Sequence, residues 1–151
     1  MDKEKDQAQQ STNQVLDSLI RSNNFEAFLD SNSGDIVETD FGEYLTELCE
    51  SKDIEKSDVI KRSGIERSYG YQLFKGTRTP SRDKVLQLAV GLSLGLDETQ
   101  KLLKMARKSE LYPRIKRDAA VIFAIERKMK MIDLQAFLAH LGENPLGEDA
   151  E

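Results

Sequence analysis

The sequence predicts an all-α protein. Apolar residues recur at i, i+3, i+4 and i+7 in several separated segments, which is the spacing of one helix face. The breaks between these segments carry glycine, proline or a short polar capping residue, and no stretch alternates as a strand would. The chain has 151 residues, of which 38% are apolar and 32% charged. This composition suits one domain with a modest core and polar ends.

Residues 1–39 are interpreted as an acidic, partly disordered N-terminal region with short helices. Residues 1–13 are polar and lack periodicity, so we expect them to be disordered. Two short helices are predicted before the breaker cluster at 31–35, from the apolar residues Val15, Leu16, Leu19, Ile20, Phe25, Phe28 and Leu29. The region has three open interpretations: a solvated tail, a mask over a basic surface, or a recruiter of partners.

An array of five helices is predicted over residues 40–108. Asp40 is a plausible N-cap of the first helix, with Glu43 as its capping-box partner. The apolar stripe of that helix repeats at i, i+4, i+7 and i+8 and comprises Phe41, Leu45, Leu48 and Cys49. Such a stripe is typical of a helix that buries one face against its neighbours.

The second and third helices are short and each is followed by a glycine. Ser57 is predicted to cap the second helix, which carries apolar residues up to the Gly64 turn. The third helix is predicted over Arg67–Lys75 and stops at Gly76, a favoured residue just after a helix end. We expect Ile65 and Leu73 to lie in the core.

The fourth and fifth helices complete the array. Ser81 is predicted to cap the fourth, whose core positions are Val85, Leu88, Ala89 and Leu92. Asp97 together with Gln100 is predicted to cap the fifth, which carries Leu102, Leu103 and Ala106. Both assignments follow from a short polar residue placed just before a helical apolar repeat.

Residues 109–142 are predicted to form a C-terminal helical extension, and 143–151 an acidic tail. Pro113 suits the first position of a helix. The apolar face that follows contains Ile115, Ala119, Ile122, Phe123 and Ile125, and a second repeat contains Leu134, Phe137, Leu138 and Leu141. Two interpretations stay open: the extension enlarges the core of the array, or residues 113–142 form a homodimer interface.

Charge is distributed unevenly along the chain, whose net charge is −5. Residues 1–55 contain 14 acidic and 4 basic side chains, whereas residues 56–130 contain 18 basic and 8 acidic ones. Residues 131–151 contain 5 acidic and no basic side chains. A basic middle between acidic ends favours a polyanionic partner, with a solvated lysine-rich helix surface as the alternative.

Several classes of function lack their residues in this sequence. The single histidine, His140, and the single cysteine, Cys49, cannot make a zinc site or a catalytic pair, so no metal, cofactor or enzymatic activity is predicted. We expect Cys49 to be buried and unreactive. No apolar run is long enough to span a membrane, and the N-terminus does not read as a secretory signal, so a cytoplasmic location is expected.

Three separated motifs carry a resemblance to a known family. They are Ser63-Gly64-Ile65, Gly76-Thr77-Arg78-Thr79-Pro80-Ser81 and Val85-x-x-Leu88-Ala89-x-x-Leu92. In residue type and spacing, residues 41–106 resemble the lambda-repressor-like helix-turn-helix domain of the XRE family. The resemblance implies a five-helix DNA-binding domain and a bacterial transcriptional regulator, nucleoid-associated when bound to double-stranded DNA.

The resemblance also implies a set of DNA-contacting residues, because the third helix of such domains enters the major groove. The implied base contacts are Arg67, Ser68, Tyr71 and Gln72. The implied phosphate contacts are Ser57, Lys75, Arg78 and Arg82. For Arg78, pairing within the fold is an equal alternative. We expect Tyr69 and Phe74 to pack in the core rather than to contact DNA.

The third helix departs from the family pattern in ways that matter for function. Glu66 stands where a better N-cap is usual, and Gly70 replaces an apolar core residue at a cost of about 1 kcal/mol in helix propensity. Gly70 is expected to let Tyr69 fill the gap or another backbone approach. The aromatic content of the helix supports a rival function, a protein-interaction module of adaptor or antitoxin type, which would use Tyr69, Tyr71 and Phe74 with the C-terminal face.

Overall fold

The computed structural model describes residues 11–33 and 40–147, and all regular secondary structure in these two ranges is helical. The all-α prediction is therefore confirmed. The chain divides into two compact units, residues 1–38 and 39–151. In the described ranges, no helix combines the length and the apolar character needed to cross a bilayer.

The first unit contains two helices, α1 (Thr12–Arg21) and α2 (Phe25–Ser31), as the sequence predicted. The side-chain oxygen of Ser11 accepts a hydrogen bond from the backbone N–H of Gln14, and the Gln14 side chain accepts one from the Ser11 N–H. This reciprocal capping starts α1 earlier than expected, so the prediction of disorder is wrong for residues 11–13. Residues 1–10, and residues 34–35 of the predicted breaker cluster, lie outside the described ranges.

The two helices of this unit bury little apolar surface. Phe28 is buried, and the buried Asn32 amide donates to the Ser18 hydroxyl and to the carbonyl of Phe28. Four large apolar side chains of the unit remain exposed: Leu16, Leu19, Ile20 and Phe25. The unit is thus ordered mainly by its caps and by one small contact between its helices.

The described part of the second unit contains seven helices. They are α3 (Phe41–Ser51), α4 (Lys56–Ser63), α5 (Arg67–Lys75), α6 (Arg82–Gly91), α7 (Leu96–Met105), α8 (Lys116–Glu126) and α9 (Met131–His140). The predicted N-caps Asp40 and Ser81 are confirmed, because their side chains accept hydrogen bonds from the N–H groups of Glu43 and Lys84. Helix α6 lies at the centre of the core, with Val85, Leu86, Leu88 and Ala89 fully buried.

Three predicted helix starts are wrong. Helix α4 begins at Lys56, so Ser57 lies within its first turn and does not cap it. Helix α7 begins after Gly95, and Asp97 lies in its first turn without capping it. Helix α8 begins only at Lys116, because residues 112–115 form a turn. In each case the residue just before the helix has extended backbone, and the residue types in the sequence did not reveal this boundary.

Gln100, predicted as a capping partner, instead anchors the connection between α7 and α8. Its side-chain amide donates to the carbonyl of Leu111 over 2.9 Å and accepts from the N–H of the same residue over 2.8 Å. Leu111 is buried. The amide therefore replaces a missing backbone partner and holds the loop against the core.

The C-terminal extension packs against the array within the same compact unit. Its buried residues include Ala120, Val121, Ala124, Ile125, Leu134 and Leu138. Two crossed ion pairs join α6 to α8: Arg82 donates to the carboxylate of Asp118, and Arg117 to that of Asp83, each through two nitrogens at 2.9–3.0 Å. We call these four residues the α6–α8 joint. The extension thus enlarges the core, as one of the two interpretations expected.

The predicted acidic tail is in part a packed segment. Leu146 is buried, and its backbone N–H and C=O both bond to the side-chain amide of Gln135. The N–H of Gly147 donates to Asp83 over 3.0 Å, and Arg117 donates to the carbonyls of Asn144 and Pro145. The tail prediction is therefore wrong for residues 143–147, while residues 148–151 lie outside the described ranges.

Candidate functional site

Helices α4 and α5 are joined by a short turn that sets the direction of α5. Gly64 ends α4 in the left-handed region, with φ 70°, and Gly76 ends α5 in the same region, with φ 82°. Glycine reaches these angles without the steric cost that other residues meet. Between the helices Ile65 is buried, as predicted, and fastens the turn to the core.

The inner face of α5 explains its unusual glycine. Gly70 is buried, and a Cβ atom built on it would lie 2.7 Å from both Cγ1 and Cγ2 of Ile60 on α4. Leu73 and Phe74 complete this face and are buried, as predicted. The space at Gly70 is therefore filled by Ile60 rather than by Tyr69. The missing methyl group allows α4 and α5 to approach closely.

The outer face of α5 brings the four predicted base-contacting residues together. Arg67, Ser68, Tyr71 and Gln72 line one shallow depression of about 520 Å³, with Glu66 and Lys75 at its edge. Arg67 and Ser68 are exposed, whereas Tyr71 and Gln72 are half-buried. The guanidinium carbon of Arg67 lies 5.9 Å from the centre of the Tyr71 ring. A cation and an aromatic ring are thus presented side by side on this surface.

Arg78 makes contacts within the fold. Its Nε donates to the side-chain oxygen of Gln72 over 2.9 Å, and its guanidinium carbon lies 4.5 Å from the centre of the Tyr69 ring. Both contacts are to uncharged groups, and Arg78 has no ion pair with a described residue. The fold therefore positions the side chain beside Gln72, which lines the depression, and leaves it without a carboxylate partner among the described residues.

Glu66 is the residue of this site that sequence reasoning undervalued. Its carboxylate accepts hydrogen bonds from the backbone N–H groups of Ser68 and Tyr69, at 3.0 and 2.9 Å. These bonds, the one from Tyr69 first, lower the pKa of the Glu66 carboxyl below its ordinary value. A glutamate just before α5 thus works as an N-cap and brings a negative charge to the depression.

Ser57 lies elsewhere. It lines a second depression of about 410 Å³ together with Glu50, Asp53, Glu55 and Lys56, and Tyr71 is shared with the first depression. Three carboxylates against one lysine beside Ser57 give a net repulsion of a phosphate group. The structure therefore does not favour Ser57 as a phosphate contact, because its acidic neighbours come from the end of α3 and the loop that follows.

Arg82 is committed to the fold. Beyond its two bonds to Asp118, its Nε donates to the carbonyl of Ser109 and its Nη2 to that of Glu110, each over 2.9 Å. With three nitrogens engaged, the guanidinium is a structural element of the α6–α8 joint rather than a free phosphate contact. Sequence reasoning missed this because Asp118 is 36 positions further along the chain.

Lys84 is a further cation that the sequence did not single out. Its Nζ lies 5.5 Å from the centre of the Tyr69 ring, on which Arg78 also packs. Two cations therefore cover Tyr69, which is half-buried between α5 and the start of α6. Tyr69 thus packs against the core, as predicted, but is only half-buried, and its ring is covered by these two cations.

The single cysteine and the single histidine, which could serve in catalysis, do not line the depression on α5. Cys49 is buried, and this burial, outweighing the nearby Lys56 charge, raises the pKa of its thiol to about 11. The thiol therefore stays protonated and unreactive at neutral pH. His140 is exposed at the end of α9.

No family model, curated protein or solved structure matches this chain.

Proposed function

We propose that this protein is a sequence-specific DNA-binding transcriptional regulator whose α3–α7 array is a lambda-repressor-like helix-turn-helix domain. The observation that carries the proposal is the depression on α5, where Arg67, Ser68, Tyr71 and Gln72 face outwards together. Helix α5 is exposed on this side. It follows the left-handed turn at Gly64 and ends at the left-handed Gly76. Such a helix can enter the major groove of B-DNA with its N-terminal half against base edges.

The chemistry of the depression suggests a role for each side chain. Arg67 can donate two hydrogen bonds to guanine, and Tyr71 can pack on a thymine methyl group or bond a phosphate. The Gln72 oxygen is already bonded to Arg78, so its amide NH₂ is the group left to donate to a base. Lys75 and Arg78 supply positive charge that attracts DNA phosphates, whereas the Glu66 carboxylate repels phosphates.

The rival function, a protein-interaction module, receives less support at α5. Phe74 is buried, and the Tyr69 ring is covered by Arg78 and Lys84, so two of the three aromatic residues that this function requires do not form a free surface. The extension does expose large apolar side chains, namely Tyr112, Ile115, Phe123 and Ile132. These support a homodimer through residues 113–142, which would place two α5 helices on a palindromic site.

The test is a fluorescence-anisotropy titration of the full chain against a duplex from the region upstream of its own gene and against a scrambled duplex. We expect a preference of about a hundredfold or more for the upstream duplex, because specific sites typically bind about a thousandfold or more tighter than non-specific DNA. We also expect log K to fall with log salt by about 0.9 for each phosphate contact. Absence of binding to either duplex at low salt would contradict the proposal.

Charge reversal tests whether DNA binding depends on the side chains of α5 or only on the net charge of the protein. Arg67→Glu combined with Lys75→Glu is expected to abolish binding, because both side chains face the proposed groove contact. The matched control is Lys101→Glu together with Arg107→Glu, which makes the same charge change at exposed positions on and just after α7, outside α5 and outside residues 113–142. Circular dichroism confirms the helical content of each variant. An equal loss of affinity in the control would show that only overall charge matters.

A further inference from the structure

A further depression lies away from α5. It is a cleft of about 810 Å³ bounded by the end of α4, one side of α6 and the start of α9. We call it the α4–α9 cleft. Its volume falls within the range of about 300–1,000 Å³ that is usual for small-molecule sites. The array that would read DNA and the C-terminal extension both contribute walls to it.

One wall of the cleft is apolar. Val90 of α6 and Met129, Met131 and Ile132 at the start of α9 line it. Val90 and Met131 are buried, Met129 is half-buried, and Ile132 is 77% exposed. Methionine side chains are unbranched and adapt to the shape of an apolar partner. The wall therefore offers a hydrocarbon surface with an open rim.

The rim of the cleft is cationic. Lys61, Arg62, Lys128 and Lys130 line it, and no acidic side chain of the described residues lines it with them. Lys128 donates to the carbonyl of Ser93, whereas Lys61, Arg62 and Lys130 form no ion pair with a described residue. Four positive charges around an apolar wall attract an anion more strongly than separate exposed lysines would.

A buried amide with unused capacity belongs to the same wall. Gln87 is 3% exposed, and its Nε2 donates to the carbonyl of Ser63 over 3.0 Å, which fixes the orientation of the amide. Its Oε1 is buried without a hydrogen-bond partner in the described structure. Gly147 lies against this oxygen, since a Cβ atom at that position would be 2.7 Å from it. The amide is therefore a fixed part of the wall, and its unpaired oxygen faces Gly147, which does not line the cleft, rather than the open space of the cleft.

From these features we infer that the α4–α9 cleft binds a small amphipathic carboxylate, with its hydrocarbon part on the methionine wall and its carboxylate at the cationic rim. The apolar wall argues against a simple inorganic anion, and the four cations argue against a neutral hydrocarbon. The inference does not depend on the proposed DNA binding, because its ligand is different and none of the residues that line the cleft belongs to α5. Binding at Lys61 and Arg62 would act on α4, the helix that leads into the turn before α5.

The test uses the ¹⁵N-labelled full chain titrated with sodium octanoate, below the concentration at which octanoate forms micelles, and followed by NMR. We expect saturable shifts confined to amides near the cleft, at the end of α4 and at residues 128–132. Octanol, with the same chain and no charge, is expected to bind at least about tenfold more weakly, because it forgoes the charge-assisted contacts at the rim. Absence of saturable shifts with octanoate, or equal affinity for octanol, would overturn the inference.

Two variants locate the binding. Arg62→Glu is expected to weaken octanoate binding at least about fivefold, and Ile132→Ser to weaken it less, because Arg62 is charged and Ile132 contributes only rim contact. Both side chains are exposed, so neither change should unfold the protein. Arg114→Glu is the charge-matched control and should leave the affinity within about twofold.

A shortened protein that ends at Gly147 completes the test. Equal octanoate binding by the full and shortened chains would support the inference. Binding that appears only in the shortened chain would overturn it for the full protein and would assign the cleft to the acidic residues that follow Gly147. Equal losses in Arg62→Glu and Arg114→Glu would also overturn it, since the effect would then come from net charge.

Discussion

Two pairs of arginines in this protein lie in opposite surroundings. At the α6–α8 joint, Arg82 and Arg117 each face a carboxylate that is only 5% exposed and bond it through two nitrogens. On the outer side of α5, Arg67 and Arg78 contact an aromatic ring each and no carboxylate of the described residues. The same side chain therefore serves two purposes, and its partner decides which one.

The comparison separates the arginines that hold the fold from those that remain available to a ligand. A guanidinium that bonds a buried carboxylate on both branches has its charge neutralised and its donors in use. A guanidinium that packs on a ring keeps most of its donors and its charge. We therefore expect substitutions at the joint to lower stability, and substitutions of Arg67 and Arg78 to weaken binding. Each set should leave the other property nearly unchanged.

The largest effect is expected at the joint. Arg117→Ala leaves the buried Asp83 carboxylate with its Gly147 N–H bond and removes the bonds to residues 144 and 145. Breaking a buried pair in this way destabilises by about 3 kcal/mol. Urea denaturation followed by circular dichroism measures the change. Arg114→Ala is the control and should stay within about 0.5 kcal/mol of the unmodified protein. Similar losses in both variants would contradict the structural role of the joint.

The next effect is expected where α4 and α5 touch. Gly70→Ala should destabilise by about 1–3 kcal/mol, because its methyl group would overlap the buried and branched Ile60 side chain. The gain in helix propensity from alanine, about 1 kcal/mol, opposes this loss without cancelling it. Thermal or urea unfolding of the single variant provides the measurement.

A double-mutant cycle tests whether the Ile60 side chain causes the loss of stability at Gly70. In a protein that already carries Ile60→Ala, the same Gly70→Ala change should cost less or should stabilise, because the overlapping atoms are gone. The difference between the two costs is the coupling free energy of the pair. A coupling near zero would show that the close approach of α4 and α5 is not what requires glycine.

A smaller effect is expected from pH. Burial raises the pKa of Asp83, but the Arg117 hydrogen bond, the Gly147 N–H and the charges of Arg117 and Arg82 outweigh it, so the pKa lies below the ordinary value. A lowered pKa contributes stability that is present above the unfolded value, about 3.9, and is lost as pH falls through the folded value. The stability difference between the unmodified protein and Asp83→Asn should therefore be constant near neutral pH and shrink below about pH 4.

Urea unfolding of both proteins between about pH 2.5 and 7 measures this dependence across the range where carboxyl groups titrate. Asp58→Asn, at an exposed position in the first turn of α4, provides the control. A difference for Asp83→Asn that does not change with pH would contradict the role of its ionised form in the joint.

The smallest effect is expected at Glu66. Glu66→Gln keeps one oxygen, which can accept from one of the two N–H groups of Ser68 and Tyr69, so one cap bond is lost and stability should fall modestly. The substitution also removes a negative charge beside Arg67, and DNA affinity at low salt should rise roughly two- to fivefold. Anisotropy measures the affinity, and Glu43→Gln on α3 is the control. Weaker DNA binding by Glu66→Gln would instead indicate that the carboxylate contacts a base.

Much of the fold was predictable because its signals are local. The N-caps Asp40 and Ser81 bond N–H groups three positions away, and the glycines at 64 and 76 follow directly from the ends of their helices. The buried positions Ile65 and Leu73 follow from helical spacing. The grouping of Arg67, Ser68, Tyr71 and Gln72 was also predictable, because residues at these spacings share one face of a single helix.

The remainder depended on partners that are distant in sequence. Arg82 bonds Asp118, 36 positions away, so a local pattern cannot reveal that Arg82 is paired within the fold rather than free to contact phosphate. Gly147 bonds Asp83, 64 positions away, so the packing of residues 143–147 is equally invisible in a local pattern. The acidic neighbours of Ser57 and the Ile60 side chain against Gly70 come from other helices or loops. The helices and the residues on each of their faces follow from the order of amino acids, since they depend on interactions within about four positions. Which charges are neutralised and which stay available follows from the packing of the helices, because it depends on distances between helices that lie far apart in the chain.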